Sequence, residues 1–137
     1  MTNRTCTRCE KELPVTDFYT GRHYRPDGIS ASCKQCLRDY NFFRKWGVSY
    51  DDLVKIYGDK CNICFQPEYA LDKATGEIRC RLSVDHDHNC CEEGCRKCIR
   101  GLLCGWCNRR LAVLEDREWV EWADEYLDNS KNKRTST

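Results

Sequence analysis

The sequence predicts a small α+β fold held together by zinc, with an N-terminal cysteine ribbon and flanking helices. Three observations carry that expectation. Thirteen cysteines fall within 137 residues, most of them in Cys-x-x-Cys pairs. Two short segments, 81–87 with Leu82 and Val84 on one face and 99–103, bracket a polar loop in the manner of a hairpin. Several other stretches place apolar residues at helical spacing.

A chain of this length suffices for one modest domain or two very small ones and buries little apolar surface, so another staple is needed. One-third of the residues are charged and mean hydropathy is −0.78. No window holds the roughly 18 to 20 apolar residues that span a membrane. The start, MTNRTCTRCEKELP, is polar throughout and does not read as a secretory signal, so the expected location is cytoplasmic. In that compartment cysteine pairs with one repeated two-residue gap bind metal. A tight turn aims two thiolates at one tetrahedral ion, whereas a disulfide framework has no reason to repeat the gap.

Taken in order, residues 1–40 carry Cys6, Cys9, Cys33 and Cys36 around a turn-rich segment, YRPDG, and read as a zinc ribbon with a closed, structural site. Residues 41–60 form a helical connector. Leu37, Tyr40, Phe43 and Trp46, then Leu53, Ile56 and Tyr57, predict two helices, with Ser49 as an N-cap and Gly47 and Gly58 as stops. The aromatic stripe of Tyr40, Phe43 and Trp46 reads as core rather than as a platform for bases. Residues 61–115 hold Cys61 and Cys64, the hairpin strands, Cys104 and Cys107, and a helix over 104–114 that should turn Leu111 and Leu114 inward. Residues 116–137 comprise an amphipathic helix over 116–128, with Trp119, Trp122, Ala123, Tyr126 and Leu127 at helical spacing, and a tail expected to be disordered.

Cys61, Cys64, Cys104 and Cys107 make a second four-thiolate set, and closing it forces the intervening chain to leave and return as a compact loop. That loop contains VDHDH. Asp85, His86, Asp87 and His88 in succession are poorly explained as packing, since none of them tolerates burial without a partner. Asn108 directly follows Cys107, so the second zinc fixes it relative to the hairpin. Carboxylate and amide oxygens are hard ligands suited to Mg2+ or Mn2+, and a histidine imidazole can take a proton from an attacking water. The layout suits one-metal hydrolysis of a phosphodiester.

The motifs CNIC, LSVDHDH and IRGLLCGWCNRRL are together similar to the phage recombination endonuclease VII family, within the HNH or His-Me finger nucleases. WGVSYDDLVKIYGDKCNIC also resembles the helical lead-in of that family, so the similarity runs from about Lys45 to Leu114. The resemblance implies a ββα-metal nuclease core acting on DNA. It matches Asp85 and Asn108 to the divalent-metal ligands, His86 to the general base, His88 to the second histidine, and the second cysteine set to the structural zinc ligands. Some members of the family cut four-way (Holliday) junctions as dimers. The short acidic C-terminal segment here leaves a monomeric nicking enzyme equally open. Phage packaging or recombination proteins are further partners it suggests. An alternative of another class is a non-catalytic zinc-finger DNA-binding protein, against which the retention of Asp85, His86 and Asn108 argues.

Two features stand apart from the family pattern. The N-terminal ribbon lies outside it, as extra grip on DNA or as a cap on the fold. The insertion NCCEEGCRKC adds Cys90, Cys91, Cys95 and Cys98, which read as a third zinc set, although Cys90 or Cys91 could be left free. At about 3.3 Å per residue Cys80 lies too far along its strand to join them and is expected to be a lone buried thiol. The net charge of +1 conceals local basic groups: Lys34, Arg38, Arg44 and Lys45 in one region and Arg100, Arg109 and Arg110 in another are the candidate DNA contacts.

Overall fold

The computed structural model describes residues 2–135. The chain folds as two compact units, one running up to Leu53 and including Asp87–Cys98, the other made of Val54–His86 and the chain from Ile99 onward.

The first unit opens with the antiparallel pair β1 (Asn3–Thr5) and β2 (Glu12–Pro14), followed by β3 (Phe18–Thr20) paired with β4 (Ile29–Cys33). Helix α1 (Lys34–Trp46) follows at once. It starts where it does because the Cys33 thiol caps it, accepting from the Cys36 N–H, and it ends at Gly47, whose φ of +67° permits the left-handed turn a side chain would resist. Cys6, Phe18 and Cys33 form the core, with Cys9, Leu13, Ile29 and Cys36 packed against it, so the cysteines are themselves much of the interior. Helix α2 (Tyr50–Tyr57) is capped by the Ser49 hydroxyl, which accepts from the Asp52 N–H at 3.1 Å, and its following residue, Gly58, again has positive φ.

In the second unit β5 (Ser83–His86) and β6 (Ile99–Leu103) pair antiparallel, and α3 (Gly105–Glu115) packs on both. Leu82, Leu102 and Leu103 are buried, as are Cys61, Cys104 and Cys107. The Cys104 thiol caps α3 by accepting from the Cys107 N–H, the same device that starts α1. Helix α4 (Arg117–Thr135) completes the described chain, and among the described residues no helix is long and apolar enough to cross a membrane.

The architecture is α+β, and several local expectations change. Trp46 is buried, but Tyr40 and Phe43 are 41% and 56% exposed, and what meets the Tyr40 ring is a cation, the Arg8 guanidinium 4.2 Å from its centre. Leu114 is exposed, since α3 turns only its first residues toward the hairpin. Cys80 is exposed rather than buried, lying before β5 begins. The polar stretch after 128 continues α4 to Thr135, where Asn, Ser, Lys and Arg residues suit a solvated helix; the last two residues of the expected tail lie outside the described residues.

Candidate active site and metal centres

Three sets of four cysteines gather their sulfurs within 4.8 Å of one another: Cys6, Cys9, Cys33 and Cys36; Cys61, Cys64, Cys104 and Cys107; and Cys90, Cys91, Cys95 and Cys98. These are the three sets read from the sequence. Their spacing and donor chemistry fit tetrahedral zinc, so the protein is equipped for about three structural ions.

The first two sets share one construction. Each begins with a Cys-x-x-Cys knuckle whose next residue, Glu10 or Phe65, adopts φ of 59° and returns its N–H to the first cysteine carbonyl at 2.9 Å. Each ends with a cysteine that caps a helix, followed by the fourth ligand in that helix's first turn. Backbone N–H groups point at the sulfurs in both. The Cys9 N–H, joined by those of Cys33 and Arg8, lowers Cys6 to about 6 against the opposing effect of burial. Burial likewise opposes ionisation of Cys61, yet the N–H groups of Cys64, Cys104 and Ile63 outweigh it and bring that thiol to about 6. Their partners move the other way: burial and the neighbouring sulfurs push Cys36 and Cys107 up to about 12. Four crowded thiolates repel, so full ionisation needs a cation in their midst.

The third set is more open. Cys91 and Cys95 lie 3.1 and 3.2 Å from the Cys98 sulfur, and Cys98 is buried while Cys90 is exposed. The Cys98 sulfur pushes Cys90 to about 12 and Cys91 to about 11, whereas its hydrogen bonds lower Cys95 to about 7.

The DHDH run divides into residues of different kinds. Asp85 and His86 belong to β5, Asp85 buried and His86 half-buried. Asp87 builds a turn: its N–H donates to the Cys98 carbonyl at 2.8 Å and its carboxylate accepts from the Asn89 N–H at 2.9 Å. His88 is exposed in that turn, in the segment grouped with the first unit. Asn108 sits half-buried in the first turn of α3, its N–H on the Cys104 carbonyl. It lines a cleft of about 460 Å3 together with Arg79, Lys73, Ser83 and Arg109. Asp85 and Asn108 offer the hard oxygen donors that Mg2+ or Mn2+ takes. Both Asp85 oxygens, however, already accept from Arg100, from Nε at 2.8 Å and Nη2 at 2.9 Å.

The candidate DNA contacts are placed as follows. On α1, Lys34 donates to the Thr16 carbonyl, Arg38 to Gln35, and Arg44 and Lys45 lie over the rings of Tyr40 and Trp46. Arg109 donates to the Gly105 carbonyl and stacks 4.6 Å from the Trp106 ring centre, with Arg110 beside the same ring. Arg100 differs from the rest, since it is committed to Asp85 and, at 2.6 Å, to Glu115.

Sequence reasoning missed two organising residues. Asn62, inside the second knuckle, pairs with Leu102 as a strand would: its N–H meets the Leu102 carbonyl and its Oδ1 accepts the Leu102 N–H, both at 2.9 Å. Its amide nitrogen also donates to the Tyr57 carbonyl at 2.8 Å. Gly101 is glycine because a Cβ there would stand 2.6 Å from the Asn62 oxygen. Glu68 caps α3, accepting from the Gly105 N–H as well as from Tyr69 and Ala70. An asparagine between two cysteines and a glutamate in a loop carry no signal that would reveal either role.

These features define a cysteine-stapled α+β protein, and a family match over two-thirds of the chain makes it an enzyme of the nuclease class acting on DNA. The chain belongs to the recombination endonuclease VII family, whose model matches residues 38–129 and leaves β1 to β4 outside the match. Among curated proteins and among solved structures, nothing matches the chain.

Proposed function

We propose that the protein is an HNH endonuclease with a ββα-metal (His-Me finger) core, hydrolysing DNA phosphodiesters with one divalent ion and a histidine base. The observation that carries the reading is the disposition of β5, β6 and α3. Asp85 and His86 close one strand of a hairpin, Asn108 lies in the first turn of the helix packed on it, and the second cysteine set staples that helix to the knuckle. Asp85 and Asn108 hold Mg2+ or Mn2+, which when bound supplies charge stabilisation at the phosphate and the departing oxygen. His86 takes the proton from the attacking water. His88 contacts the scissile phosphate or assists the leaving group.

Around that core the reading assigns 1–40 to a zinc ribbon, 41–60 to a connector, 61–115 to the nuclease and 116–137 to a C-terminal extension. The cleft beside Asn108, with Lys73, Arg79 and Arg109 on its walls, supplies cations for the strand backbone. Asp72 in the same wall is an anion, its Oδ1 accepting from the Ala74 and Thr75 N–H groups, and the three cations of the lining outweigh it. One site makes one nick. Paired cuts, including junction resolution, require two copies, for which the exposed Trp119, Trp122 and Tyr126 on α4 provide an apolar face.

The test is conversion of supercoiled plasmid to open circles with added Mg2+ or Mn2+ against an EDTA control, with a four-way oligonucleotide junction as second substrate. Open circles without linear product indicate nicking, and symmetric junction cuts indicate a dimeric resolvase. DNA binding without cleavage under every divalent ion tried would replace this reading by that of a non-catalytic zinc-finger protein.

A further inference from the structure

Arg100 owes its direction to an irregularity in the hairpin. Asp85 pairs with Gly101 and His86 with Ile99, so β6 has one residue more than β5 at this step, and that residue is Arg100. A bulge of this kind re-aims a side chain. Here it lays the guanidinium fork flat on Asp85, one nitrogen to each carboxylate oxygen, while Nη2 also reaches Glu115 at the end of α3. The Asp85 side chain is 11% exposed, against 38% and 36% for Arg100 and Glu115. The buried member of the trio is thus held by a cation that itself faces water and has a second anion beside it.

A carboxylate has two acceptor positions on each oxygen, and a bidentate guanidinium fills the facing one on both. A divalent ion chelated there needs those positions, and a cation next to it is repelled. An ion chelating both oxygens and the guanidinium therefore compete for Asp85. We propose that Arg100 is a resident counter-ion of Asp85 that a divalent cation must displace, and that Glu115 receives the displaced guanidinium. The inference rests on Asp85 being a metal ligand, as in the proposed function, and adds to it a control on metal entry. Without metal the buried Asp85 charge stays compensated and the hairpin keeps its shape. When the ion arrives, a positive group is released beside the reacting centre but kept there by Glu115.

The experiment is titration of the zinc-loaded full chain with Mn2+ in the absence of DNA, followed calorimetrically, with zinc content and circular dichroism as controls. Arg100→Met removes the competitor and should tighten Mn2+ binding about ten- to hundredfold, the range expected for a charge-assisted pair. Glu115→Gln removes the negative charge that holds the displaced arginine and should weaken binding a few-fold. Opposite signs from the arginine and from its partner Glu115 do not arise from general damage to the fold. Arg100→Lys keeps the charge but loses the fork and should give an intermediate gain, which serves if the methionine variant does not fold. Unchanged or weaker Mn2+ binding in a folded Arg100 variant would overturn the proposal and make Arg100 a residue that orients Asp85 for the metal. Asp85→Asn should abolish the binding; if it binds Mn2+ as the wild type does, the metal site lies elsewhere and the proposed function itself fails.

Discussion

His86 is half-buried at the end of β5, next to a carboxylate whose charge is already balanced, and the role assigned to it is confined to moving a proton. Its loss should therefore touch the chemical step and not the grip on DNA. His86→Ala is expected to lower cleavage by about two to four orders of magnitude while DNA affinity, read by fluorescence anisotropy, stays within a few-fold of wild type. A variant that cuts at the wild-type rate would move the base to His88. Arg79 and Lys73 should behave in the opposite way: replacing either by alanine weakens binding, lowers the slope of log affinity against log salt by about one, and leaves the chemical step intact. The residue types at the proposed centre stand out in the sequence because Asp, His and Asn at these spacings have few structural uses. The hold of Arg100 on Asp85 was not, since it depends on a one-residue bulge that no local pattern announces.

At the scale of the element, the knuckles are the units that set geometry. Asn62 closes three hydrogen bonds that join the end of α2, the second knuckle and β6. Asn62→Ala leaves the Leu102 N–H without its acceptor and should lower stability by about 1 to 2 kcal/mol, measured by urea unfolding of the zinc-loaded protein. An unchanged midpoint would mean that water replaces the side chain at no cost. Phe65 presents the reverse case, a bulky residue 71% exposed with φ of 59°. Its side chain contributes little burial and strains the backbone, so Phe65→Gly should raise stability by about 0.5 to 1 kcal/mol in the same unfolding experiment. A fall would show that the exposed ring has a covering partner. The helices themselves were readable from their apolar spacing and from Gly47, Ser49 and Gly58. Their burial was less so: periodicity predicts a face and does not say whether a core, a cation or solvent meets it, as Tyr40, Phe43 and Leu114 demonstrate.

For the whole molecule, two kinds of ion should separate. Elemental analysis is expected to return about three zinc per chain, and two would remove the open set around Cys98. Zinc must expel the protons held on Cys36, Cys90 and Cys107, whose thiols are pushed up to about 12, so its affinity rises with pH and zinc is lost as pH falls. Mild EDTA should stop cleavage while helicity, followed by circular dichroism, persists. Asp85→Ala and Asn108→Ala should fold with full zinc content and fail to cut, whereas Cys61→Ser or Cys107→Ser should damage folding. The reverse pattern would overturn the division between structural and catalytic metal. By itself the sequence determined the inventory: three cysteine quartets, the hairpin strands, the helices and the family, because ligand spacing and hydrophobic period are local properties of the chain. Only the tertiary structure decided how those parts are aimed. The shared construction of the first two cysteine sets, the strand-like pairing of Asn62 with Leu102 and the arginine lying on Asp85 all join residues distant in sequence. Such contacts follow from strand register and helix capping, which the composition of a segment does not specify.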